Sequence, residues 1–185
     1  MQKILPISAV VLFVAAMLWF FAAPPKAASM STYRSVTYGI PFEYPNSYEL
    51  QEREVGNAER AHYSIVLIDK EALANIPQNG EGPPTINVDI FQNNLDKTPI
   101  ETWIRGTNYS NFKLSPDGVL ASTTIAGKPA FSYVVDGLYR SDAIVFAHPG
   151  RAGKNNIIML SVGSLTPKDR IRKDFENVVA SITLN

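Results

Sequence analysis

Alternating apolar and polar residues dominate the chain from about residue 35 onward, and a period of two is typical of β-strands. In segment 61–69 both alternating sets are apolar, Ile65 and Leu67 on one face and Val66 and Ile68 on the other. That strand should therefore lie inside the sheet. The pattern predicts strands at 48–55, 61–69, 85–93, 121–126, 130–136, 142–147 and 156–162, after a broken strand pair at 35–44.

Two segments change to the helical period near 3.6. Thr98, Pro99 and Glu101 form a capping sequence ahead of Ile104, and this helix should end near Gly106. A similar sequence at 166–169 precedes a second apolar stripe, formed by Ile171, Phe175, Val178, Val179 and Ile182. Strands joined by local turns, with helices packed on them, predict the α+β class with an antiparallel sheet.

The amino terminus carries an uncharged apolar run, 4–23, flanked by Lys3 and Lys26. About twenty apolar residues can cross a bilayer as one helix, and the run exceeds the apolar part of most signal peptides. We therefore predict that residues 1–23 form a hydrophobic helix retained as a signal anchor, with the rest of the chain outside the cytoplasm. Cleavage near Ser29 and secretion is the alternative. Residues 24–32 would be a tether and residues 33–185 one domain.

Charge and composition narrow the classes of partner and site. The chain has 17 basic and 17 acidic side chains, without a long charged run, so no nucleic-acid partner is predicted. Cysteine is absent, which excludes disulfides, thiolate metal sites and a lipid joined through a cysteine thioether. No cofactor is predicted.

Residues that could carry catalysis form no recognisable motif. His62 and His148 are the two histidines. Asp142 shares a strand face with His148, but six strand residues separate the two by about 20 Å, too far to share one metal ion. We predict no catalytic residues and no metal site. The alternative is a metal- or carboxylate-dependent enzyme of the cell envelope, which would require Asp89, Asp142 and His148 to converge around a pocket.

Binding residues are predicted in two regions. The glycine-rich segment 149–154 carries Arg151 and Lys154 and could hold an anion beside His148, although a strand-end histidine is more commonly satisfied by water or backbone. A strand rather than a helix follows, which disfavours a nucleotide-binding P-loop. Tyr44 belongs to an aromatic cluster that could line a groove, although such clusters are more commonly cross-strand packing.

Three segments resemble the PsbP-like family, which comprises extrinsic photosystem II proteins and many uncharacterised bacterial exported proteins. They are YGIPFEYP at 38–45, TIAGKPA at 124–130 and FENVVASI at 175–182. The resemblance covers nearly all of 32–184 and implies an α/β/α sandwich around an antiparallel sheet. In the second segment no helix follows Lys128, so we predict a tight hairpin turn rather than a phosphate-binding loop.

The resemblance does not extend to photosynthesis or to metal binding. The leader and tether stand where plant members have the segment that docks on the photosystem, and no metal-ligand motif falls on His62 or His148. These observations predict a non-enzymatic domain held at the membrane by residues 4–23. It would bind a protein or small-molecule partner, or assist an assembly.

Overall fold

The computed structural model describes residues 29–35, 37–57, 61–91, 98–149 and 155–184. The predicted hydrophobic helix at the amino terminus and most of the tether lie outside these residues. Within the described ranges, no helix is both long enough and apolar enough to span a membrane.

One antiparallel sheet organises the chain. The described strands are β1 (Met30–Tyr33), β2 (Phe42–Pro45), β3 (Tyr48–Val55), β4 (His62–Asp69), β5 (Thr85–Phe91), β6 (Ala121–Ile125), β7 (Lys128–Asp136), β8 (Arg140–His148) and β9 (Asn156–Ser164). The seven strands β3 to β9 pair in the order β3-β4-β5-β9-β8-β7-β6, and β1 pairs with β2 separately. The α+β class and the interior position of segment 61–69 are confirmed.

Three α-helices, and a 3-10 helix at Phe112–Leu114, accompany the strands in the described residues. The α-helices are α1 (Lys70–Ala74), α2 (Ile100–Gly106) and α3 (Arg170–Ser181). The predicted position of the Thr98 cap is wrong, because Pro99 itself occupies the N-cap position of α2, with φ −54° and ψ 140°. A proline at the first helical position would have a helical ψ angle, so the helix begins one residue later than predicted.

Apolar side chains bury both faces of the sheet. On the first face, α3 packs on β2, β9 and β5, and residues from the β1–β2 hairpin join the same core. On the second face, Ile104 of α2 packs with residues of β7, β8 and β9. Fully burying one such aliphatic side chain contributes about 1.5–3 kcal/mol. The sheet is therefore the middle layer of three.

The end of the predicted tether is a strand. Residues 30–32 belong to β1, which pairs from Met30 opposite Pro45 to Tyr33 opposite Phe42. The broken strand pair predicted at 35–44 is therefore wrong in its register, because β2 pairs with residues before 35. A strand of four residues is too short to show a period of its own, and its partner supplies the backbone hydrogen bonds.

The segment TIAGKPA forms a two-residue hairpin turn, as predicted. Ile125 and Lys128 close the turn between β6 and β7, and Ala126 and Gly127 have φ angles of 46° and 75°. Positive φ at both positions is the geometry of a type I′ turn, whose twist matches that of paired strands. Glycine adopts it without strain, whereas alanine does so at a cost.

We expect Ala126→Asn to raise the free energy of unfolding by about 1 kcal/mol, because asparagine tolerates the left-handed conformation better than alanine. Urea denaturation followed by circular dichroism measures the change. Ala121→Asn is the matched control, because Ala121 is exposed at the other end of β6 and its φ is not positive. A gain at both positions, or at neither, would contradict the strain assigned to Ala126.

Candidate functional site

Two buried polar side chains stand next to each other where the β8–β9 ladder ends. His148, the last residue of β8, pairs directly with Asn156, the first residue of β9. They are 4% and 3% exposed. Neither ring nitrogen of His148 has a hydrogen-bond partner, and nor does Oδ1 of Asn156. A buried polar group without a partner costs about 1–3 kcal/mol, so the fold is destabilised at this point.

The imidazole of His148 is held in its neutral form. Burial lowers the pKa of His148, the backbone of Tyr38 opposes this shift without reaching hydrogen-bond geometry, and the positive charge of Lys128 lowers the pKa further. A neutral imidazole offers one N–H donor and one acceptor. Together with the side-chain carbonyl oxygen of Asn156, the pair presents one donor and two acceptors, and among the described residues only the backbone of Tyr38 lies close enough to influence the imidazole as a hydrogen-bonding group.

The other predicted binding residues lie elsewhere or outside the described residues. Arg151 and Lys154 fall in 150–154, which the structure does not describe; that segment joins the strand ends carrying His148 and Asn156. Tyr44 is half-buried in β2, 6.2 Å from the Phe42 ring centre, and packs against the core of the first face. The described contacts do not bring it to His148.

The aromatic cluster around Tyr44 is mostly core packing. Tyr33 stacks on Phe42 at 4.9 Å between ring centres, and its hydroxyl donates to Glu52 Oε1 at 2.7 Å. Tyr63 donates to the same oxygen at 2.7 Å. Burial, with these bonds to a carboxylate, raises the pKa of Tyr63 to about 12 and raises that of Tyr33 as well. Both phenols therefore stay protonated, and the bond from Tyr33 holds the β1–β2 hairpin against β3.

A second buried polar cluster lies on the opposite face of the sheet. Ser64 of β4 and Asp89 of β5 are direct cross-strand partners, and His62 Nε2 is 3.6 Å from Asp89 Oδ1. The His62 ring stacks on Phe91 at 4.7 Å and meets the edge of Tyr109 at 5.5 Å. Local sequence patterns missed this cluster because the strand register, not sequence proximity, brings His62 to Asp89.

The electrostatics of the second cluster centre on the carboxyl group of Asp89. Burial raises the pKa of Asp89, while a hydrogen bond from Ser64 and the charges of His62 and Arg53 lower it in part. The hydroxyl of Tyr109 is buried without a hydrogen-bond partner. Asp89 thus has polar neighbours on several sides, in contrast to His148.

The residues required for the enzyme alternative do not converge. Asp142 lies on the face covered by α3 and pairs with Arg172 at 2.6 Å. His148 lies at the end of the same strand face, and Asp89 belongs to the opposite face, beside Phe91. In the part of the chain that the structure describes, no three metal-ligating side chains form a group.

Two open clefts lie on the surface of the described residues. One, of about 320 Å³, is a groove on the first face beside β6. The other, of about 260 Å³, lies at the start of α3, where Arg170 pairs with Asp69 and Tyr48 donates to Asp174 Oδ2 at 2.8 Å. The charged groups of the second cleft satisfy one another, so it lacks unpaired groups like those of His148.

No protein-family model and no curated protein sequence matches the chain. Its structure is similar to the solution structure of cyanobacterial PsbP (CyanoP) from Synechocystis sp. PCC 6803, with a TM-score of 0.51 and 17% identity over 87% of this chain and 95% of that one. It is also similar to LpqN, involved in cell envelope biogenesis of Mycobacterium tuberculosis, with a TM-score of 0.43 and 15% identity over 85% and 92% of the two chains. The similarity to CyanoP shows that the chain has a PsbP-like fold, as predicted.

We expect Asp89→Asn to raise the free energy of unfolding at pH 7. Because the folded state favours the protonated carboxyl, ionisation of Asp89 destabilises the fold once the pH exceeds the ordinary carboxyl pKa of about 4. The gain should therefore shrink below about pH 4, where both side chains are neutral. Urea denaturation across this pH range measures it.

Asp169→Asn is the control of opposite sign. Hydrogen bonds from Thr166 and Leu165 lower the pKa of Asp169, so its charged form stabilises the fold above the ordinary carboxyl pKa. This variant should lose stability at pH 7. Equal behaviour of the two variants would contradict the role of burial at Asp89.

Proposed function

We propose that the chain is a non-enzymatic accessory domain, tethered outside the cytoplasmic membrane, that binds a partner at the β8–β9 end of its sheet. The observation that carries the proposal is the pair of buried, unpartnered side chains, His148 and Asn156. A polar group exposed to water needs no protein partner, because water forms its hydrogen bonds. The two buried side chains, in contrast, lower the stability of the fold when they lack partners. A ligand that supplies the missing hydrogen bonds offsets that cost and gains affinity from it.

The chemistry of the site indicates the kind of ligand. One donor and two acceptors match a group that both gives and accepts hydrogen bonds, such as a hydroxyl or an amide. Arg151 and Lys154, on the segment between the two strands, would add positive charge for an anionic part of the ligand. Tyr44 remains a proposed outer contact. A polar ligand or protein segment with an acidic group fits this set.

The proposed location follows from the leader. The apolar run 4–23 is long enough for a retained membrane helix, and a domain without cysteine needs no disulfide to fold outside the cell. The PsbP-like fold is compatible with an accessory role, by analogy at the level of the fold. Catalysis is not proposed, since the acidic residues that would serve His148 lie elsewhere in the described structure.

We expect the full-length chain, expressed in a bacterial host, to sediment with membranes after an alkaline carbonate wash. Protease added outside the cytoplasmic membrane should digest its domain, because the anchor places residues 33–185 outside. Immunoblotting with a carboxyl-terminal tag reports both results. Recovery of a soluble product that begins near residue 30 would contradict the anchor and favour cleavage near Ser29.

We expect His148→Leu to gain about 1 kcal/mol of stability at pH 7 and to lose partner capture, because it removes polar atoms that only a ligand satisfies. Photo-cross-linking in native membranes, followed by mass spectrometry, detects the partner. The lowered pKa of His148 means that the wild-type fold loses stability as pH falls below about 6.5, and the variant should lack this component.

Arg105→Gln is the matched control for capture. Arg105 is exposed on α2, where it pairs with Glu101, on the opposite side of the sheet. This variant should capture the same partner as the wild type. The proposed function would be overturned if the His148→Leu variant captured the same partner as the wild type. It would also be overturned if no specific partner were found and the purified protein turned over a substrate.

A further inference from the structure

The strand β6 is an open edge of the sheet. Among the described residues it pairs only with β7, and the two-residue turn makes Ile125 and Lys128 a hydrogen-bonded pair. Hydrogen-bonded and non-hydrogen-bonded pairs alternate in antiparallel ladders, so the backbone groups of Ser122 and Thr124 face away from β7. Pro129 lies opposite Thr124 in one of the non-hydrogen-bonded pairs. The β6–β7 ladder therefore requires no N–H from residue 129, and proline, which lacks one, is tolerated there.

This edge lacks the features that usually prevent strand pairing. The sequence of β6, ASTTI, has no charge and no proline and is rich in residues that favour strands. The opposite edge strand, β3, carries four charged side chains in eight residues, at Glu49, Glu52, Arg53 and Glu54. Charged side chains are a common protection of edge strands, so β6 is the edge left available for pairing.

An apolar groove begins at the same edge. Because α3 packs on β2, β9 and β5, it leaves part of the first face uncovered beside β6, β7 and β8. The groove of about 320 Å³ is lined there by Val119, Ala121, Ser132, Val134, Ile144 and Phe175. Val119 is 55% exposed. A strand added to β6 would place alternate side chains over this groove.

The charge at the rim of the groove is negative. Asp117 is exposed and accepts hydrogen bonds from the Val119 backbone and the Ser115 hydroxyl, which lower its pKa and keep it ionised. Asp142, also at the rim, is neutralised by Arg172 at 2.6 Å. The nearby charge of Arg140 also lowers the pKa of Asp117, but Arg140 pairs with Asp136 at 3.7 Å, and no salt bridge to Asp117 is seen among the described residues. Asp117 therefore favours a positively charged residue on whatever occupies the groove.

We propose that β6 accepts an extended segment of a partner protein as an eighth strand, with an apolar side chain in the groove and a lysine or arginine beside Asp117. The main chain of the segment would pair with Ser122 and Thr124. This surface is separate from the ligand site at the β8–β9 end, because Ile144 and His148 are about 13 Å apart along β8. The proposal therefore stands independently of the proposed function.

The test uses the full-length chain in detergent micelles and a fluorescent eight-residue peptide of alternating valine and threonine with lysine at both ends. Fluorescence anisotropy should show binding that Thr124→Pro weakens on the order of tenfold, because the variant removes one outward N–H but keeps the β6–β7 bonds. Ala121→Phe should weaken binding similarly by filling the groove. Asp117→Asn should weaken binding less, because it removes only the attraction between Asp117 and a lysine of the peptide.

The matched control is Thr124→Val, which keeps the outward N–H and should bind like the wild type. If Thr124→Pro fails to fold, Ala121→Phe still decides, because Ala121 is exposed and its enlargement disturbs no core. Three results would overturn the proposal: no binding by the wild type, equal binding by all variants, or a dimer of the chain that Ala121→Phe abolishes, since a second copy would then be the occupant.

Discussion

The structure depends on burying both faces of one wide antiparallel sheet under a few short helices and one hairpin. Seven strands spaced about 4.8 Å apart span about 29 Å. The longest described helix, α3, has 12 residues and is therefore about 18 Å long. It covers the middle strands and leaves the strip along β6 open on the first face. The interior is well buried, and the surfaces available for binding lie at the uncovered edge and ends.

Two histidines show how similar burial leads to different roles. His62 lies among Asp89, Phe91 and Tyr109, where a carboxylate and two aromatic rings surround it. His148 is equally enclosed, but neither of its ring nitrogens has a hydrogen-bond partner, and its neighbour Asn156 adds another unpaired oxygen. The first arrangement gives His62 a nearby carboxylate and two aromatic neighbours within the fold. The second costs stability without benefit to the isolated fold, which is why we assign the binding role to it.

The sequence predicted those elements whose pattern is local and long. The strands after residue 48 and the stripe of α3 repeat often enough to define a period, and Gly127 between two strands identifies the hairpin turn. Helix α1 was missed because five residues make little more than one turn, and β1 because its partner lies a dozen residues away. Thr98 was assigned as a cap because proline commonly occupies the first helical position, whereas Pro99 is itself the N-cap of α2.

The site was only partly accessible to the same reasoning. The end of β8 is visible from His148-Pro149-Gly150, but the burial of the histidine and its pairing with Asn156 are not. Burial depends on Tyr38 and Asn156, which strand pairing and the hairpin bring together. The open edge at β6 likewise follows from the strand order, which no local pattern specifies.

The most direct test of the account is the state of the His148 ring in the free protein. Long-range ¹⁵N–¹H NMR reports the protonation and hydrogen bonding of each ring nitrogen across a pH titration. The account predicts a neutral ring at pH 7 that titrates below the ordinary histidine pKa of about 6.5, with no hydrogen bond to the protein at either nitrogen. A ring that is protonated at pH 7, or hydrogen-bonded to the protein at either nitrogen, would contradict it.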